Sequence, residues 1–247
     1  MTPPAAGSPT PPPPPTPTPR RLPWFHFVFL TLLALTGLAG GILMWASSLR
    51  QRPAPVIIET SPPTTELPVY ATLRQSLTAT ERSGQTVTTT ALRGKVWVAA
   101  YTYTRCPRGC LGVVATMLKL RDEFSSEPRF HQVSVAVDPA YDSPEILKNF
   151  AAAAGINDTD AWWFLSGEQS SLRSFVTNQL GFAQAIEIPP AERLSEFDTL
   201  GHDLRMALID TEGRLRGYYE VQNEDAPTAQ LHQERLRADI RRLLAEK

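Results

Sequence analysis

Lys95–Cys110 reads KVWVAAYTYTRCPRGC, and this stretch decides the fold. Lys95–Thr102 is an apolar run rich in β-branched and aromatic residues, which predicts a buried strand. The next residues form a short loop that ends in two cysteines, Cys106 and Cys110. Between Leu111 and Phe124, apolar residues at 111, 114, 117, 118, 120 and 124 follow the helical repeat. The cysteines therefore stand where a strand turns into a helix, and their spacing of four can bring both sulfurs to one face. Pro107 suits the first turn, where its missing N–H costs nothing. A helix N-terminus favours anions, so it lowers thiol pKa values and supplies thiolate. Such a pair can form a disulfide or hold a soft cation, of which copper(I) is one.

Working outward, His131–Asp138 alternates as a second strand and ends on Asp138-Pro139. Ser143-Pro144-Glu145 opens a helix with a capping serine and a proline at its first position, and Gly155 closes it. Trp162–Leu165 predicts a third strand and Ser170–Leu180 a third helix. Leu204–Asp210 and Arg214–Glu220 bracket the turn Thr211-Glu212-Gly213, and Ala229–Leu244 is amphipathic. Alternating strands and helices, followed by a hairpin and a last helix, predict an α/β domain. Its form is a thioredoxin-like mixed sheet with helices on both faces.

Upstream the composition changes. Most of the 23 prolines precede residue 69. Residues 1–21 are expected to be a proline-rich tail too poor in apolar groups to fold. Residues 22–49 are long and apolar enough for one transmembrane helix, with Trp24 and Trp45 near its two ends. The stretch exceeds the apolar part of a cleavable signal peptide, so a retained anchor is expected. Residues 50–69, rich in proline and threonine, predict an extended linker to a domain over 70–247. Arginines flank both ends of the span, so charge leaves its orientation open.

Only two cysteines occur in 247 residues, which excludes a disulfide-rich scaffold. A net charge of −1 gives no basis for nucleic-acid binding. Of the four histidines, His26 falls in the apolar span, while His131 and His232 read as solvated positions. His202 precedes a strand at the end of a long loop that begins near residue 183. Nothing in its spacing distinguishes it as a ligand. Asp138 can orient the site or cap the end of its strand, and the Asp-Pro turn signal favours the cap.

Several separated pieces, in order, resemble the Sco/SenC family of membrane-anchored copper chaperones of cytochrome c oxidase assembly. They are Tyr101–Cys110, Ser134–Pro139, Asp142–Glu145, and Gly201-His202-Asp203 leading to Leu208–Asp210. The resemblance implies that Cys106, Cys110 and His202 bind one copper ion, Cu(I) or Cu(II). It also implies delivery to the oxidase subunit that carries the CuA centre. The domain would stand on the outer side of the cytoplasmic membrane, served by a copper donor and a thiol reductant. The family usually has an acidic and a small apolar residue between the cysteines and a proline after the second. This chain has Arg108, Gly109 and Leu111 there. Arg108 places positive charge beside the thiolates, which opposes a cation and favours redox work. The alternative function is accordingly a membrane-anchored thiol-disulfide oxidoreductase, with Cys106 attacking and Cys110 resolving through a disulfide. A peroxidase or thiol sensor lacks a second catalytic group and is the weakest reading.

Overall fold

The computed structural model describes residues 66–106 and 110–246, and scattered helical positions between Trp24 and Met44. The chain divides into two compact units, Met1–Ser61 and Pro62–Lys247. In the first, Thr36 Oγ1 donates to the Leu32 and Leu33 carbonyls, 3.0 Å each, in the manner of a helical threonine. No helix among the described residues is long and apolar enough to cross a membrane. The tail over 1–21, most of the expected span over 22–49 with His26, and most of the linker over 50–69 lie outside the described residues.

In the second unit, strand β4 (Val96–Thr102) is buried along its whole length. It pairs in parallel with β5 (Phe130–Ala136) and antiparallel with β9 (Met206–Ile209). β6 (Trp162–Ser166) continues the parallel set beside β5. Outside these lie β10 (Arg214–Tyr219) and β1 (Ala71–Thr72) on one edge, and β2 (Thr78–Glu81) and β3 (Thr86–Thr88) on the other. The result is a mixed eight-stranded sheet in the order β1-β10-β9-β4-β5-β6-β2-β3. A separate pair, β7 (Ile186–Glu187) with β8 (Leu200–Gly201), lies within the long loop before β9.

Alternation along β4 sorts the two cores. Val96, Val98 and Ala100 face helices α1 (Cys110–Glu123), α2 (Pro144–Ala153) and α4 (Ala226–Ala245), through Met117, Leu147 and Ile240. Trp97, Ala99, Tyr101 and Tyr103 share the opposite core with Leu172, Phe175 and Val176 of α3 (Gln169–Asn178). This is the expected thioredoxin-like arrangement. The Ser143 side chain caps α2 by accepting from the Ile146 N–H at 3.3 Å, and Gly155 closes it at φ +72°.

Three local expectations need correction. α4 begins at Ala226, before Ala229, because the Asp225 carboxylate caps it by accepting from the Thr228 N–H at 3.0 Å. The β2–β3 hairpin has no counterpart in the sequence reading, since its strands are short and threonine-rich. His131 is not solvated. It is 6% exposed, pairs across from Trp97, and meets the Trp163 ring edge-on at 4.7 Å. A parallel neighbour and a tryptophan cover the strand's first turn, which pattern alone does not reveal.

Neither His131 ring nitrogen has a hydrogen-bond partner among the described residues. Burial, then the nearby Lys95 charge, lowers its pKa to about 3. The unfolded chain takes up the proton near the ordinary histidine value, and the folded chain resists it. Stability is therefore complete above that value and is lost as pH falls toward 3, by about 1.4 kcal/mol per pH unit. Urea denaturation of the 62–247 fragment between pH 7 and pH 4 should show this loss, and His131→Phe should flatten it.

Candidate metal and thiol site

β4 and β5 run parallel, so the loops that follow them emerge on one edge of the sheet, where sites in such sheets lie. β9 runs opposite to β4, with Ala100 across from Met206. The segment preceding β9, which carries His202, therefore reaches the same edge.

The cysteine loop is held from within and from the side. The Cys106 N–H donates to the Tyr103 carbonyl at 3.1 Å, and the half-buried Cys106 packs on the α3-side core. The Thr104 hydroxyl donates to Asp142 Oδ1, and its N–H reaches Asp142 Oδ2 at 3.4 Å. Asp142 is fully buried. Burial pushes its carboxyl up; the Thr104 hydrogen bonds oppose that without cancelling it. Arg105 Nη2 meets Asp138 Oδ2 at 2.6 Å, and its guanidinium lies 3.7 Å over the Tyr141 ring and 5.4 Å from that of Tyr103. β5 ends at Ala136, two residues before the expected Asp138, and Asp138 organises the turn that follows, its carbonyl accepting from the Tyr141 and Asp142 N–H groups. Its carboxylate also pairs with the arginine next to Cys106, which gives Asp138 a place beside the site as well as in the turn.

Cys110 lies at the start of the described part of α1, in keeping with the expected helical repeat over Leu111–Phe124. Residues 107–109 and the Cys110 side chain lie outside the described residues. At Gly112, one turn in, an added Cβ would stand 1.7 Å from Gln222 Oε1. The segment after β10 thus lies directly on the first turn of the cysteine helix.

His202 belongs to a loop closed at its base and gripped at its tip. At the base, the Asp203 carboxylate accepts from the Ala183 N–H at 2.9 Å, from the Arg205 N–H at 2.9 Å, and from the Arg205 guanidinium at 2.7 Å. Burial tends to raise the Asp203 pKa, but these hydrogen bonds outweigh it and hold the carboxyl below its ordinary value. At the tip, Tyr103 Oη donates to the Phe197 carbonyl at 2.8 Å and pairs with Thr199 Oγ1 at 2.8 Å. Between them, His202 Nδ1 lies 3.0 Å from the Asp203 carbonyl. With Nδ1–H as the donor, the tautomer leaves Nε2 as the acceptor nitrogen. The imidazole stands edge-on to Tyr101 at 5.8 Å and to Tyr103 at 6.4 Å. It lines a cleft with Ile186, Asp203, Glu220 and Gln222. No group of three His, Cys, Asp or Glu side chains suited to a metal occurs among the described residues, a set that excludes the Cys110 side chain.

The fold and the residues on this edge define the class: a thioredoxin-like domain with a Cys-x-x-x-Cys loop after its first parallel strand and a histidine loop beside it. A profile of the SCO1/SenC family matches residues 68–237, and the chain belongs to that family. A SCO1 protein homolog of Bacillus subtilis is 30% identical over 152 residues, covering 60% of this chain and 75% of the relative. A SCO1/SenC family lipoprotein from Bacillus anthracis is 26% identical, with TM-score 0.58, over 71% of this chain and 96% of its own. BsSco, a member of the Sco family of cytochrome c oxidase assembly proteins that has a disulfide switch, is 25% identical, with TM-score 0.58, over 74% and 99%. The copper-bound ScoI of Bradyrhizobium japonicum, 22% identical over 68% of this chain and 98% of its own, shares the fold at TM-score 0.51.

Replacing Asp203 by alanine leaves the Ala183 N–H without its acceptor and Arg205 with only the Gly181 carbonyl, at a cost of about 1–3 kcal/mol. Urea denaturation should register that loss, and limited proteolysis should cut first between residues 183 and 203.

Proposed function

We propose that this chain is a copper metallochaperone. Cys106, Cys110 and His202 take up one copper ion, as Cu(I) or Cu(II), and deliver it to the CuA-bearing subunit of cytochrome c oxidase during assembly. The observation that carries the reading is that Tyr103 joins the Cys106 backbone and the His202 loop on one sheet edge of an SCO1/SenC chain. Thiolates are soft donors that suit Cu(I), and an imidazole completes a set acceptable to both oxidation states. Ligand exchange with an incoming partner then moves the ion without chemistry on the protein. The copper carried by the Bradyrhizobium relative and the assembly role in the description of BsSco support the same reading.

In this proposal residues 1–21 are a tail, 22–49 a single membrane span and 50–69 a linker. The domain over 70–247 works on the outer side of the cytoplasmic membrane. The exposed apolar side chains at helical positions Trp24, Phe29 and Leu33 support the span, since lipid would cover them. A copper donor and a thiol reductant are the further partners this cycle needs. The disulfide switch of BsSco favours a second reading, in which Cys106 and Cys110 reduce a partner's cysteine pair.

Reduced protein titrated with Cu(I) should bind one ion per chain, and Cys106→Ser should abolish binding. His202→Ala should weaken it by about 100-fold or more, the scale of a lost contact in a metal site. Binding unchanged in His202→Ala refutes the three-ligand arrangement. Turnover of an oxidised partner peptide without any copper binding would favour the oxidoreductase reading.

A further inference from the structure

Two loops from different parts of the chain must hold their ligands at a fixed separation if they share one ion. The cysteine loop follows β4 directly. The histidine loop is long. Its two limbs are joined by the β7–β8 pair and by the Ile188 N–H donating to the Thr199 carbonyl at 2.9 Å, so they move as one hairpin. That hairpin is closed at its base through Asp203. A base clasp alone leaves the tip, around Phe197–Thr199, to swing and carry the adjoining strand β8 and His202 with it. We infer that Tyr103 is the positioning residue that prevents this, fixing the imidazole of His202 relative to the cysteine loop. The inference rests on the copper reading given above for what the geometry serves, and on contacts of the apo protein for the geometry itself.

Tyr103 is suited to the task by five contacts. Its carbonyl accepts the Cys106 N–H, so any rotation of its backbone moves the first cysteine. Its hydroxyl grips the tip of the histidine loop twice, at the Phe197 carbonyl and at Thr199. Its ring meets His202 edge-on at 6.4 Å, and the Arg105 guanidinium lies 5.4 Å from the centre of the same ring. Tyr103 is 1% exposed, and its ring belongs to the α3-side core, so the rigid sheet sets its position. The tip it holds is ordered in its own right, since the Leu194 N–H donates to the buried Asp198 carboxylate at 2.8 Å. The hydroxyl therefore grips a preformed turn. Tyr101 supplies the second wall of His202 but has no bond to the loop among those described, which leaves the coupling to Tyr103.

The test is Tyr103→Phe, which keeps the ring, its packing and its contact with His202 and removes only the hydroxyl. Amide exchange is first measured on the full metal-free protein. Residues 195–202 should exchange at least tenfold faster in the variant, with Thr199→Val giving a smaller effect and the double variant no more than Tyr103→Phe alone. Copper is then added, and imidazole nitrogen coupling is read from the Cu(II) electron paramagnetic resonance spectrum. In Tyr103→Phe this coupling should weaken or become heterogeneous, while the thiolate-to-copper absorption bands and the melting temperature stay close to those of the parent. Unchanged exchange in the loop, or parent-like nitrogen coupling, overturns the inference. If the parent itself shows no imidazole coupling, the three-ligand reading fails, and the exchange result alone still upholds or overturns the clasp.

Discussion

The constraint on which the rest depends is that β4 has a core on each side. Every residue of Val96–Thr102 is buried, so its alternation is fixed by two different packing surfaces at once. A slip by one residue would exchange Val98 and Ala100 with Trp97 and Tyr101, driving bulky rings into the space shaped for small residues. Register is thereby locked, and with it the side on which the chain leaves the sheet. Tyr103 continues the α3-facing series beyond the last hydrogen-bonded residue of the strand, and Cys106 packs on the same core. The chemistry of the edge is a consequence of a parity set deep in the sheet.

Parity of this kind is legible in a single sequence, which is why the strand, the cysteine loop, the helix after it and the capped α2 all follow from residues 95–155 alone. What escapes is the set of contacts between segments remote in the chain. His131 looks like the polar start of a strand, and only its neighbours Trp97 and Trp163 show that it is enclosed. The Asp203 carboxylate looks like the companion of a histidine, yet its partners lie at Ala183 as well as at Arg205. The Tyr103–Phe197 bond spans more than ninety residues, and a tyrosine in an apolar run carries no sign of it. His202 illustrates the same limit, since spacing gave it no distinction and the family resemblance singled it out. Buried polar atoms need partners, which is a usable signal, but the partner's identity is a property of the fold.

Charge around the first cysteine turns on pairing. From sequence, Arg108 is the charge that opposes a cation at the thiols, and Arg105 adjoins Cys106 directly. In the folded domain that arginine is bound to Asp138 and stacked on Tyr141, so its charge is spent locally at 2.6 Å from a carboxylate. Coulomb energies add, so at Cys106 the paired Asp138 carboxylate opposes the field of the guanidinium. The departure from the family pattern at Arg108 lies outside the described residues, and the neutralised Arg105 does not add to it.

The same pairing ties the cysteine loop to the start of α2. Thr104 is bonded to Asp142 and Arg105 to Asp138, so the two residues before Cys106 are each held to the β5–α2 turn. Asp142 can accept those bonds in a fully buried position because the turn that carries it is organised by the Asp138 carbonyl. The cysteine loop is therefore gripped from three directions: by β4 through Tyr103, by the β5–α2 turn, and at the first turn of α1 by Gln222 lying on Gly112. On the proposed reading the site accepts an ion or a disulfide and later releases it, which calls for its mobile part to be confined to the reacting atoms. Here the backbone up to Cys106 is fixed by the sheet and its turns, and preorganisation of the first cysteine follows from the same strand that determines the fold.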